Sequence, residues 1–158
     1  MKELPVRKKI RCKGYDYSKE GCYFVTICIK DKHLLLGEIA GTTASDHPHT
    51  KLSELGNYVS SAITYYSANN LIYIDKYVIM PNHIHLIIVV QPEANNQGQS
   101  SLYHIVRNFK SYVTKKAGFS PWQKSFHDRI IRNEMEYQHI WQYIDENPAR
   151  WTTDEYFM

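Results

Sequence analysis

The stretch VIMPNHIHLIIVV, Val78 to Val90, constrains the fold more than any other part of the chain. It lies in the most hydrophobic segment, yet the chain has no apolar run of the roughly 18 residues that a membrane span requires. Proline cannot donate to a strand ladder and favours a tight turn. LIYIDKYVIM and HIHLIIVV therefore read as two strands joined through Pro81-Asn82. In the second strand His83 and His85 stand two residues apart. Side chains at i and i+2 share a face, so the two imidazoles project together while Ile84 and Leu86 turn to the other side. Such a pair can grip one metal ion. The plainer reading is two surface histidines of a half-exposed sheet.

The rest of the chain alternates strand and helix signals. CYFVTICI, residues 22–29, is β-branched and aromatic and reads as a buried strand, with HLLLGEIAG pairing to it as a short hairpin arm. GTTASDHPHTK reads as a polar loop. Leu52, Leu55, Val59, Ala62, Ile63 and Tyr66 recur at helical spacing, and that helix ends at Asn69-Asn70. QPEANNQGQS is a second polar loop, followed by a helix with Leu102, Ile105, Val106, Phe109 and Val113 on one face. SFHDRIIR reads as the last strand. Asn133 and Glu136 have the spacing of a capping box and open a final helix that runs to Pro148. This order predicts an α+β fold: a ferredoxin-like split βαβ antiparallel sheet, helices on one face, and an added C-terminal helix.

A chain of 158 residues, 43% hydrophobic, suits one globular domain. Cys12, Cys22 and Cys28 match neither a disulfide framework nor a zinc knuckle and read as reduced thiols. The start of the chain lacks the apolar centre of a signal peptide, so a cytoplasmic protein with no membrane partner is expected. The net charge is only +3, but Lys2, Arg7, Lys8, Lys9, Arg11, Lys13 and Lys19 face three acids in the first twenty residues. Residues 1–20 thus form a basic arm suited to a polyanion, ahead of a single domain over 21–158.

In the last helix Tyr137, Ile140, Trp141, Ile144 and Pro148 form the stripe that packs on the sheet. Tyr143 lies beside this stripe, and Asn147, four residues on, shares its face, as does Glu136. Packing the stripe brings Tyr143 and Asn147 towards the sheet surface and the histidines.

GYDYSKEGCYFVTICIKDKH, MPNHIHLI and FHDRIIRNEMEYQHIWQYIDENPARW, in that order, resemble the single-tyrosine HUH transposases, most closely the REP-associated tyrosine transposases. The resemblance runs from the basic arm to NPARW. It implies cleavage and rejoining of single-stranded or hairpin DNA through a 5′-phosphotyrosine. It also implies that His83 and His85 are the metal-binding histidines, that Tyr143 is the nucleophile, and that Asn147 is a third metal ligand. Mg²⁺ or Mn²⁺ is the implied ion, although imidazoles alone would equally accept Zn²⁺. The resemblance leans towards a monomer, whereas the smaller insertion-sequence relatives form homodimers. Glu136 and then His139 are candidate proton acceptors.

For holding DNA, Arg107 and Lys110 share a helix face with Ser111 and Thr114, beside the arm residues Arg7, Lys8, Lys9, Arg11 and Lys13. Tyr15, Tyr17 and Tyr103 are candidates for stacking on unpaired bases. Two classes of function follow: a metal-dependent tyrosine transposase, or a non-catalytic, domesticated binder of single-stranded or hairpin DNA. Hydrolysis by zinc at the histidine pair lacks a carboxylate motif such as H-E-x-x-H.

Overall fold

The structure, a computed structural model, describes residues 21–41, 47–68, 72–91 and 102–157. The basic arm, Cys12, Tyr15, Tyr17, the Asn69-Asn70 helix end and most of the loop at 91–100 lie outside these residues.

Among the described residues, six strands and three α-helices follow in the order β1 (Cys22–Cys28), β2 (Gly37–Ala40), β3 (His49–Leu52), α1 (Glu54–Ser67), β4 (Ile72–Met80), β5 (His83–Val90), α2 (Leu102–Ala117), β6 (His127–Ile130) and α3 (Glu134–Glu146). A 3-10 segment, Asn147–Thr153, continues directly from α3. The main sheet has the order β4-β5-β1-β6, with every pair antiparallel. This is the ferredoxin-like arrangement expected from the sequence. The hairpin expected between β1 and HLLLGEIAG is not formed. Gly37–Ala40 pairs instead with His49–Leu52 in a separate two-stranded sheet, so part of the polar GTTASDHPHTK segment is strand. Both flanks of β1 are already taken, by β5 and β6, which leaves no edge for a hairpin arm.

Period-two alternation sorts the sheet residues onto two cores. Val25, Ile27, Ile84, Leu86, Ile88 and Val90 meet Leu55, Val59, Ala62 and Ile63 of α1 and Ile105, Val106, Phe109 and Val113 of α2. On the opposite face Cys22, Tyr73, Ile87 and Val89 meet Ile131 and Tyr137, Ile140 and Ile144 of α3. All eight residues of β5 are buried, as a strand covered on both faces must be. Glycine at 56 is dictated by packing, because a Cβ there would stand 2.2 Å from the Leu36 carbonyl oxygen.

Helix α3 is placed by polar contacts at both ends. Asn133 Oδ1 accepts from the Glu136 amide at 2.8 Å, and Glu136 Oε1 accepts from the Arg132 amide at 2.8 Å, a reciprocal cap of the helix start. Glu136 thereby takes part in the cap with one of its carboxylate oxygens. Further along, Lys76 of β4 donates to Asp145 at 2.8 Å, and its ammonium lies 3.9 Å from the centre of the Trp141 ring. The Tyr137 hydroxyl donates to Asp75 Oδ2 at 2.5 Å, at the position where the β4-β5 register shifts between Ile74 and Lys76.

Hydrogen bonds to charged groups contribute roughly 1.5–3 kcal/mol, and partial exposure of Asp75 places this one at the low end. Tyr137→Phe is expected to cost about 1–2 kcal/mol in urea unfolding, whereas Tyr77→Phe, at an exposed position, is expected to leave the midpoint unchanged.

Candidate active site

The β1-β5 register pairs Thr26 with His85 and Cys28 with His83. Both histidines project onto the α3 face and are buried, at 0% and 2% exposure, so they are not surface residues of a half-exposed sheet. Each has one ring nitrogen tied down. Asn82 Nδ2 donates to the Tyr156 carbonyl at 2.7 Å and lies 3.4 Å from that of Lys32, which turns Oδ1 towards His83 as an acceptor. His83 Nδ1 therefore carries the proton and donates at 2.8 Å, leaving a lone pair on Nε2. His85 Nδ1 meets Thr26 Oγ1 at 2.8 Å.

The other nitrogens have no partner. His83 Nε2, His85 Nε2, Asn147 Oδ1 and Asp154 Oδ2 are all buried side-chain atoms without a hydrogen bond. Ligand atoms of His83, His85 and Asp154 lie within 4.8 Å of one another, and His83 Nε2 is 3.9 Å from Asp154 Oδ2. Asn147 caps the C-terminal end of α3, where its backbone N–H bonds the Ile144 carbonyl. Asp154 follows the 3-10 segment. The Tyr156 amide donates to its Oδ1 at 2.8 Å, which fixes the carboxylate and leaves Oδ2 facing the histidines.

Unpaired polar atoms are rare in protein interiors, and each costs roughly 1–3 kcal/mol. Two imidazole nitrogens, an amide oxygen and a carboxylate oxygen fit a divalent cation of the Mg²⁺, Mn²⁺ or Zn²⁺ type. The Nδ1 partners of both imidazoles are the supporting contacts that orient such ligands. Asp154 was missed in the sequence because a single acid in a short irregular segment has no periodicity to betray it.

Burial drives the titration of these groups. His83 is lowered to about 2 by burial and by the adjacent His85, with the Asn147 amide opposing in part. His85 is lowered to about 3 by burial. Both are neutral lone-pair donors at ordinary pH. Asp154 is raised by burial, against the Tyr156 amide. Tyr143 is raised by burial and by the Asp154 charge, with Asn147 opposing, so its phenol keeps its proton at neutral pH.

Tyr143 is 37% exposed. Its ring centre lies 5.4 Å from that of His85 and 6.2 Å from that of Phe24, edge-on to the latter. It borders an open cleft of about 530 Å³ with Phe24, Thr26, His85, His139 and Tyr156, and β6 adds His127, Asp128 and Arg129. Tyr156, also unforeseen, packs its ring 4.3 Å from His83. His139 lines the same cleft one turn before Tyr143.

Of the residues expected to hold DNA, Arg107 and Lys110 are the two among the described residues, and neither lines this cleft. Arg107 is exposed on α2, on the other face of the sheet. Lys110 Nζ, expected to meet DNA, donates to the carbonyls of Gln123 and Ser125 at 2.9 and 3.1 Å, a structural tie within the chain.

No family model matches the chain. It is 35% identical to an uncharacterized protein of Haemophilus influenzae over 96% of this chain and 93% of that one. In fold it is similar to a REP-associated tyrosine transposase bound to a REP hairpin, with TM-score 0.61 and 22% identity over 83% of this chain and 68% of that one. It is also similar to a Deinococcus radiodurans R1 protein solved as a candidate transposase, with TM-score 0.50 and 15% identity over 79% of this chain and 88% of that one. No helix among the described residues is long and apolar enough to cross a membrane.

With chelator present, the buried histidines make stability fall in acid. Their folded values lie below the unfolded 6.5, so stability is full above 6.5 and is lost as pH falls, when only the unfolded chain takes up protons. Asp154, raised on folding, works in the opposite direction, one group against two. Urea unfolding at pH 8 and pH 5.5 should differ by up to about 3 kcal/mol, less the Asp154 offset.

Proposed function

The chain belongs to one family with the Haemophilus influenzae protein and has the fold of the REP-associated tyrosine transposases. From that premise we propose that it is a metal-dependent tyrosine transposase acting on single-stranded DNA beside a hairpin. The observation that carries this reading is the convergence of buried ligand atoms of His83, His85 and Asp154, with the Asn147 amide interacting with them, next to a half-exposed tyrosine at an open cleft.

His83, His85, Asn147 and Asp154 would hold the ion, which when bound would supply positive charge to the phosphate oxygens and to the negative charge that develops in cleavage. Mn²⁺ or Mg²⁺ is the proposed ion. Tyr143 Oη attacks the scissile phosphorus. The new Oη–P bond forms as the P–O3′ bond breaks, giving a 5′-phosphotyrosine and a free 3′-hydroxyl. The phenolic proton leaves to the solvent-filled cleft, and the departing 3′ oxygen takes up a proton there. Rejoining reverses these steps with another 3′-hydroxyl. His139, one turn before Tyr143, lines the same cleft, as do Asp128 and Glu155, and is proposed to relay that proton to solvent. Phe24, meeting Tyr143 edge-on, and α3, capped at its start, hold the ring in place. The arm residues Arg7, Lys8, Lys9, Arg11 and Lys13 and the exposed Arg107 are proposed to meet the DNA backbone, with salt-dependent affinity. The protein is proposed to work as a monomer, since Tyr143 and the histidines of one chain already border one site.

Tyr143→Phe should retain fold and DNA binding but lose cleavage by at least 10³-fold, while Tyr137→Phe should still cleave. His83→Ala, His85→Ala and Asp154→Asn should each abolish Mn²⁺-supported cleavage and weaken Mn²⁺ binding by calorimetry. End-labelled hairpin DNA resolved on denaturing gels, with mapping of the DNA-linked peptide, checks this. Absence of any adduct from the unmodified protein would favour the non-catalytic binder. An adduct that persists in Tyr143→Phe would reassign the nucleophile.

A further inference from the structure

A second cleft, of about 260 Å³, opens between α2 and the segment leading into β6. Tyr103, Arg107 and Lys110 line it from α2, and Lys124 and Phe126 line it from the segment. Among the described residues no carboxylate lines it. Arg107 and Lys124 are exposed and make no ion pair among the described residues. Tyr103 is 58% exposed, and Phe126 rests half-buried against the α1/α2 core.

The far wall is fixed in place. Besides the two bonds from Lys110, Trp122 Nε1 donates to the Lys110 carbonyl at 3.1 Å. The end of β1 pairs with the start of the segment through Lys30 N to Pro121 O and Gln123 N to Cys28 O, both at 2.9 Å. A preformed cleft thus combines two aromatic rings with two uncommitted cations. Rings accept the face of any base, and the cations accept phosphate, which together are the means by which proteins hold unpaired nucleotides.

Its position relates it to the tyrosine. Phe126 walls this cleft, and the next three residues, His127, Asp128 and Arg129, wall the Tyr143 cleft. Three strand residues span about 10 Å. β6 is an edge strand, so the two clefts lie on either side of one sheet edge.

We propose that the α2-β6 cleft seats an unpaired nucleotide of the same DNA strand whose scissile phosphate lies at Tyr143, so that the strand is gripped at two points across β6. Tyr103 and Phe126 hold the base, and Arg107 and Lys124 hold its phosphates. The inference rests on the reading of the chain as a single-strand DNA enzyme.

The test uses full-length protein carrying Tyr143→Phe, which stops turnover, and two probes: a twelve-residue oligothymidylate and a chain of the same length made of abasic sites. Adding Tyr103→Ala should weaken oligothymidylate binding at least fivefold and leave abasic binding unchanged. Adding Arg107→Ala with Lys124→Ala should weaken both probes alike and flatten the salt dependence. A 5-iodouridine probe should cross-link to Tyr103 or Phe126. Equal oligothymidylate affinity with and without Tyr103, or cross-links confined to other residues, would overturn the nucleotide cleft while sparing the parent reading. Failure of the Tyr143→Phe protein to bind either probe would overturn both.

Discussion

The antiparallel register of β1 against β5 is the constraint on which the rest of the site depends. It sets Thr26 beside His85 and aims both histidines at α3 rather than at α1 and α2. A slip of one residue would exchange faces along the whole of β5, sending the imidazoles into the α1/α2 core and Ile84 and Leu86 out of it. The apolar alternation that drives the packing therefore also fixes the chemistry. The cost of holding open nitrogens and oxygens in the interior is carried by the two hydrophobic layers around them. That cost is the reason the imidazoles stay neutral and available as ligands.

Helix α3 serves two ends with one periodicity. Tyr137, Ile140 and Ile144 bury its stripe, while Tyr143 and Asn147, four residues apart on a neighbouring face, meet the cleft and the histidines. The Asn133-Glu136 cap and the Lys76 contacts with Asp145 and Trp141 limit how far the helix can turn or slide. Small errors in the position of a nucleophile cost rate heavily, so these distant contacts bear on reactivity as well as on stability.

Much of this was legible in the sequence, because periodicity and caps are local signals. The shared face of His83 and His85, the stripe of α3 and the Asn133 cap all follow from spacing. What could not be read was set by contacts distant in the chain. The pairing of Gly37–Ala40 with His49–Leu52 depends on β1 having no open flank. Lys110 read as a cation for DNA, and its ties to two carbonyls more than ten residues away could not be seen in the local pattern. Asp154 and Tyr156 come to the histidines only through the fold of an irregular segment, held by Asn82 at the β4-β5 turn.

The place of Asp154 in the fold gives the site two separately built halves. The imidazoles stand on β5 and the Asn147 amide closes α3, so these donors are held by elements that bury the two cores. The carboxylate belongs to the segment beyond them, which is tied to the β4-β5 turn where Asn82 donates to the Tyr156 carbonyl. A substitution in that segment can therefore reach the donor set without disturbing either core.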